Sequence, residues 1–311
     1  MQRVTYEFME FDMCELIREV RCEKGISQDV LYQGLCNKKV YFQMESGGSE
    51  LDDLLYETLL SRLHVQQRMF DVMLDDEAFD RVECRHKIDV CMKKEQWEQV
   101  EHLLCEYELL APTNNLHQQY VLAKRAELMY QSGQEAGQRF KEALELTLPL
   151  GETEKRIQGS GVIGAEELWM YYRYRSCEKE FSGEEYEKFL TMVERCFLEK
   201  QIYLEVHFEA AYRYALMLCK KKEDIQGREV AKKAIAWLKK GKKSFCLPQI
   251  VFLDAIMGMR LRQDAGQERE LLQQCKQGYY TSLCLGKLEM AKKMASYCEE
   301  EFGWHIIGQV K

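Results

Sequence analysis

The sequence predicts an all-helical chain, built as four short helices followed by a longer series of helical hairpins. Three observations carry this. The 311 residues include only 3 Pro and 19 Gly, which leaves little material for the tight corners of a sandwich or barrel. Apolar residues make up 46% and charged residues 31%, a turn-poor balance for which long helices are the expectation. Turn signals then recur roughly every 40 residues through the second part of the chain, in the range of stacked helical repeats.

The sharpest punctuation lies between Asp12 and Leu63. Leu16, Ile17 and Val20 form one apolar stripe, and Gly25 follows as a left-handed stop. Ser27 caps a brief second helix, which Gly34 ends. Asn37 caps a third helix, from Lys38 to Ser46, stopped by Gly47 and Gly48. Ser49 with Asp52 makes a capping-box-like start for a fourth, which bears Leu51, Leu54, Leu55, Leu59 and Leu63. Two short helices about a glycine-containing turn outline a helix-turn-helix.

Beyond Leu63 a helical segment is expected near Gln66 to Leu74. Antiparallel pairs follow, with turns at Lys94-Glu95, Ser132-Gly133, Phe181-Ser182-Gly183, Lys222-Glu223-Asp224 and Asp264-Ala265-Gly266. The stretch from Gly151 to Gly164 reads as a loop, with Gly159-Ser160-Gly161 as its flexible connection. A hairpin of this kind cannot bury its apolar stripe alone, so neighbours must stack into a continuous core. The expected division is a helix-turn-helix domain at 1–65 and a helical repeat domain at 66–311.

Charge and motifs exclude several classes. The net charge is -8, so any nucleic-acid contact must come from a local patch. The opening residues Met1 to Glu7 carry acids where a signal peptide would need an apolar core. The longest uncharged apolar run, Phe245 to Leu253, is under half of the ~20 residues of a membrane span. A cytoplasmic protein with no membrane contact is expected. The 13 cysteines are scattered singly with no CxxC, which reads as reduced, mostly buried thiols. Cys84-x-His86, with Cys91 or with His102 and Cys105, lacks established zinc spacing, so no metal or other cofactor is expected. Phosphate-loop, HExxH and GxSxG motifs are missing, and no catalytic residue is assigned.

The residues from Ile17 to Gln28, followed by Leu31, Gly34-Leu35-Cys36-Asn37 and Met44-Glu45-Ser46-Gly47, resemble the phage-repressor (Xre, lambda-repressor-like) helix-turn-helix. In that motif the second helix enters the major groove. On a helical period Lys38, Lys39, Phe42 and Gln43 share one side, while Val40, Tyr41 and Met44 turn toward the core. The resemblance implies base-reading roles for Lys38, Lys39 and Gln43, with Asn37 and Phe42 on the same surface, and phosphate contacts for Gln28 and Ser46. It also implies an internal ion pair between Arg21 and Glu45.

Further along, Leu128, Tyr130, Gly133, Ala136, Phe140 and Ala143, and again Tyr214, Leu218, Val230 and Ala234, are similar to the small-and-aromatic pattern of tetratricopeptide units. A repressor-type domain followed by such repeats resembles the Rgg- and PlcR-like regulators of Gram-positive bacteria. That resemblance implies a cytoplasmic homodimer whose residues 1–65 bind double-stranded DNA and whose residues 66–311 dimerise and sense a ligand, a short peptide of quorum sensing.

The residues also hold features that pull the other way. From Met1 to Val65 there are seven Lys/Arg against twelve Asp/Glu, and from Cys14 to Gly47 five against five, although phosphate neutralisation supplies most non-specific DNA affinity. Phe42 either meets a thymine methyl or marks a surface that no longer meets DNA. Only three asparagines are present, so a bound peptide would rely on Gln118 and Gln119, on Tyr172 and Arg175, or on Tyr212 and Arg213. The run Lys220 to Lys243 holds ten Lys/Arg against three acids, either a partner-binding patch or the wet side of a helix. Two functions stay open at this point: a DNA-binding transcriptional regulator sensing a peptide or protein signal, or a helical-repeat protein-interaction adaptor with a degenerate, non-DNA-binding helix-turn-helix.

Overall fold

The computed structural model describes residues 13–47, 52–65, 76–159, 161–178, 181–262 and 265–306, and every regular element among them is helical. The chain divides into two compact units, Met1–Glu180 and Phe181–Lys311. The segment 1–65 expected to bind DNA therefore shares a unit with the first hairpins.

The first unit opens with α1 (Met13–Glu23), α2 (Gln28–Tyr32), α3 (Lys38–Glu45) and α4 (Asp53–Arg62). Gly25 adopts φ +64°, and Ile26 N donates to Arg21 O at 3.0 Å, closing α1 with a left-handed residue. Ser27 accepts from Val30 N to start α2, and Asn37 Oδ1 accepts from Val40 N at 2.9 Å to start α3. The cap of α4 is Asp52, which accepts from Leu54 N and Leu55 N. Gly48, Ser49 and Leu51 lie outside the described residues, as do the segment Gln66 to Leu74, Ser160 and Asp264. Ile17, Leu31, Leu35, Tyr41, Met44, Leu55, Leu59 and Leu63 form one core, and Leu116 from a later helix joins it. Val40, expected inside, is exposed. It sits one residue, about 100° of helix turn, from Tyr41, whose face with Met44 is the one that meets the core.

The unit continues with α5 (Asp76–Lys93), α6 (Trp97–Leu110), α7 (Asn115–Gln131), α8 (Gly137–Glu145), α9 (Leu150–Gln158) and α10 (Ala165–Glu178). The helices α5 and α6 pair, as do α7 and α8, and α10 packs on α8. Phe140 meets Trp169 edge-on at 5.3 Å between ring centres, with Ala136 and Ala143 buried beside it. Most of the loop expected between Gly151 and Gly164 is helix α9. Pro149 precedes its first turn, and Thr153, Arg156 and Ile157 bury one side at the i, i+3, i+4 spacing of a helix facing a core. The glycines there, read as flexible, lie at and beyond its end. Cys84 is buried against Leu103 O whereas His86 is exposed, so the two do not converge.

The second unit holds α11 (Gly183–Cys196), a 3-10 turn at Leu198–Lys200, α12 (Glu205–Lys221), α13 (Asp224–Lys240), α14 (Leu247–Arg260), α15 (Ala265–Cys284) and α16 (Leu288–Phe302). From α12 onward each helix packs on the next. Ser182 and Glu185 form a capping box at the start of α11, and Lys222 makes the α12 to α13 turn with φ +62°. Tyr214, Leu218 and Ala234 are buried. No described helix is long and apolar enough to cross a membrane.

Candidate nucleic-acid interface

Helix α3 presents Asn37, Lys38, Lys39, Phe42, Gln43 and Ser46 on its exposed side, with Tyr41 and Met44 fully buried beneath. Lys38 Nζ lies 5.3 Å from the centre of the Phe42 ring, so the phenyl group, 42% exposed, is partly covered by an aliphatic stem and a cation. An ammonium over an aromatic face is weakly held and stays free to meet an acceptor on a base or phosphate. The Ser46 hydroxyl turns back onto Phe42 O and Gln43 O, where it ends α3.

What holds α3 in place is a network around one carboxylate. Arg21 Nε donates to Glu45 Oε1 at 2.7 Å and Arg21 Nη2 to Oε2 at 3.1 Å. The Tyr41 hydroxyl donates to Oε1 at 2.6 Å, and the Gln28 amide donates to Oε2. Gln28 is half-buried, and its amide is committed to this network. Burial alone would raise the Glu45 carboxyl, but donation from Arg21, Tyr41 and Gln28 holds it below the usual carboxylate range. A depressed pKa contributes stability that is present above the unfolded value, near ~4.3, and fades as the pH falls through the folded one. Arg21→Ala is expected to cost about 2 kcal/mol at neutral pH, in line with loss of charge-assisted bonds from a mostly buried acid. Urea titrations at neutral and acid pH should show that difference shrinking toward low pH, and a cost that is constant with pH would count against it.

Two buried arginines fix α2 to the rest of its unit. The orphan carbonyls at the end of a helix need donors, and here they come from far along the chain. Arg62 Nη1 donates to Leu31 O at 2.7 Å and to Gln33 O at 2.8 Å, while its Nη2 meets Glu167 Oε1 at 2.5 Å. Arg156 donates to Val30 O at 3.0 Å and to Gln33 Oε1 at 2.8 Å. Between them Gly34, at φ +79°, lies so close to the chain that an added Cβ would stand 1.6 Å from Thr147 O. These anchors were not among the residues assigned from sequence. A signal was present: Arg62 continues the i, i+4, i+7 stripe of Leu55 and Leu59, and Glu167 precedes Met170, Tyr171 and Tyr174 on the same helical face.

Solved structures resemble the chain over nearly its whole length. The likeness is one of fold. PlcR of Bacillus thuringiensis, solved with the peptide PapR7 and DNA, is 14% identical, with 94% of this chain and 99% of that one covered at a TM-score of 0.48. A putative transcriptional regulator from Listeria monocytogenes is 16% identical, with 93% and 96% covered at 0.38. The SHP pheromone receptor Rgg2 of Streptococcus dysgalactiae is 12% identical, with 93% and 99% covered at 0.37. No family model matches the chain, and no curated protein matches it in sequence.

The residues expected to hold a peptide fall into two groups. Gln118, Gln119, Tyr172 and Arg175 belong to the first unit, and Tyr212 and Arg213 to the second. Gln119 is buried, its amide donating to Ala143 O at 3.0 Å and to Thr147 Oγ1 at 2.6 Å, and Tyr172 is fully buried. Both serve the core as they stand, because each lies on the side of its helix that meets a neighbour. Gln118 is exposed and lines a shallow cleft with Pro112, Leu122 and Arg125. Arg213 bonds Glu209 one turn earlier at 3.0 Å.

Asp52, Asp53 and His117 also converge, but Asp53 has its two oxygens on Arg81 and Arg85, and Asp52 meets His117 Nε2 at 2.9 Å. Two guanidiniums already neutralise Asp53, so the trio reads as a clamp between the start of α4 and α7 rather than as a cation seat. In the second unit, Lys220, Lys221, Lys222, Lys232, Lys239, Lys240, Lys242 and Lys243 are exposed, and Lys233 pairs with Glu194 at 2.5 Å.

Proposed function

We propose that the protein is a DNA-binding transcriptional regulator that reads duplex DNA as a homodimer through α3, and that its hairpins, residues 66–311, sense a peptide or protein signal. The observation that carries this is the exposed row of Lys38, Lys39 and Gln43 on a helix whose other side is locked by Tyr41, Met44 and the Arg21–Glu45 pair. Lysine donates to guanine O6 or N7, and glutamine pairs with adenine N6 and N7. With five bases against five acids from Cys14 to Gly47, affinity is expected to be modest, strongly dependent on salt, and to rely on pairing two copies on a two-fold site. A signal would act through its unequal affinity for two arrangements of the repeats.

The same charge balance, with the half-exposed Phe42, favours a second reading in which the hairpins bind a protein and the first helices no longer read DNA. Fluorescence anisotropy on duplexes drawn from the region upstream of the protein's own gene separates the two. The regulator should prefer one duplex, and Lys38→Ala with Gln43→Ala should erase that preference, each contact being worth roughly 1–3 kcal/mol of discrimination. A parent protein with equal affinity for every duplex across a salt series would sink the regulator and leave the adaptor.

A further inference from the structure

We infer that the first unit carries a ligand seat of its own: a cleft between α4 and the hairpins that takes a molecule bearing a primary ammonium group on an apolar body. The cleft holds about 290 Å³. Thr58 of α4, Asp89 of α5, Tyr120 and Lys124 of α7, and Glu166 and Met170 of α10 all face it, while Leu54 and Leu116 add apolar wall. It is distinct from the exposed side of α3.

Two independent observations say what it takes. The Tyr120 hydroxyl is buried at this wall with no hydrogen-bond partner among the described residues, and a buried polar group left unpaired is costly. An N–H from an occupant would supply that bond. The second observation is the charge count. Lys124 Nζ bonds Asp89 Oδ1 at 2.9 Å. Arg62 holds Glu167, and Arg81 and Arg85 hold Asp53, with Arg85 also on Glu57. Glu166, exposed, shares Lys124 with Asp89, so these groups together carry one negative charge in excess. An anion would be repelled there, whereas an ammonium would be attracted. Burial disfavours the charged form of Lys124, but Glu166 and Asp89 outweigh it and keep the group more firmly protonated than usual, so Lys124 is counted among the cations. The apolar wall and the small volume call for a compact hydrocarbon body behind the cation.

The ammonium could belong to a free amine or to the amino terminus of a short peptide. An occupant would touch α4, which carries Arg62 and through it the end of α2. That consequence rests on the regulator reading, but the binding itself does not.

Isothermal titration of the full chain tests the seat with phenethylamine, with phenylacetate as the same body of opposite charge, and with phenylalanyl-alanine amide bearing a free or an acetylated amino terminus. Phenethylamine and the free dipeptide should saturate and the other two should not, and the tighter of the binders assigns the source. Glu166→Gln should weaken amine binding roughly tenfold, the size of one charge-assisted contact, while changing the stability of the empty protein by no more than the ~1 kcal/mol of an exposed charge pair. Tyr120→Phe should also weaken the amine while leaving the empty protein at least as stable as the parent. Equal binding of phenylacetate, absence of saturable amine binding, indifference to Glu166→Gln, or loss of stability in Tyr120→Phe would each overturn the proposal. Duplex binding is measured separately, so failure here leaves the reading of α3 standing.

Discussion

Replacing Glu167 by Gln is expected to cost the first unit about 3–5 kcal/mol, the usual penalty for stranding one charge of a buried pair. Arg62 and Glu167 are 0% and 1% exposed, and they meet at 2.5 Å. Glu167 also accepts from Gly164 N at 2.9 Å. Burial pushes the Glu167 carboxyl up, and Arg62 with the Gly164 amide pulls it down further, leaving it below the ordinary carboxylate value. The pair therefore contributes fully above the unfolded pKa of ~4.3 and is lost as the pH falls through the folded one. Arg62→Met with Glu167→Leu should recover part of the loss, because removing both charges is far cheaper than removing one. Recovery should stay incomplete, since Leu31 O and Gln33 O would lose their donor. Urea unfolding followed by helical circular dichroism measures all three proteins. A Glu167→Gln variant within about 1 kcal/mol of the parent, the effect of an exposed pair, would show that the junction is held by something else.

Gly34→Ala should be comparably damaging for a different reason. Two costs combine: an L residue at φ +79°, worth roughly 1–2 kcal/mol, and a Cβ placed 1.6 Å from a backbone oxygen in the Leu144 to Leu148 region. Neither neighbour is a flexible side-chain end, so the turn between α2 and α3 must lift away from Thr147. The expected total exceeds about 3 kcal/mol, as overpacking adds to the backbone strain. Gly25→Ala is the control. It has a similar φ of +64° but nothing within 4 Å of the added Cβ, and should show the backbone cost alone. If the two variants melt together, the close approach at Gly34 has no energetic weight.

The four N-terminal helices were legible because their signals are local. Ser27, Asn37, Gly25 and Gly34 sit within a few residues of the backbone groups they cap or bend, so spacing along the chain is enough to read them. The side of α3 that carries Lys38, Lys39 and Gln43 follows from the same periodicity. The reading failed where an apolar stripe was short or diluted. Gly151 to Gly164 reads as a loop because its four glycines outweigh Ile157, the one apolar residue between Gly151 and Gly159, yet Arg156, which donates to Val30, Gln33 and Val162, ties α9 into the core. Tyr172 and Gln119 suit either a pocket or a core, as polar and aromatic residues do, and only a neighbouring helix decides which.

Sequence alone determined the helical class, the order of short helices before long hairpins, and the chemistry displayed by α3. These depend on hydrogen bonds and periodicity that close within one or two turns. Tertiary structure decided that Arg62 meets Glu167 across 105 residues, that Gly34 must remain a glycine because of Thr147, and that Tyr120 and Glu166 face one cleft. Those outcomes depend on which distant surfaces are pressed together and deprived of water, a property that no local pattern encodes.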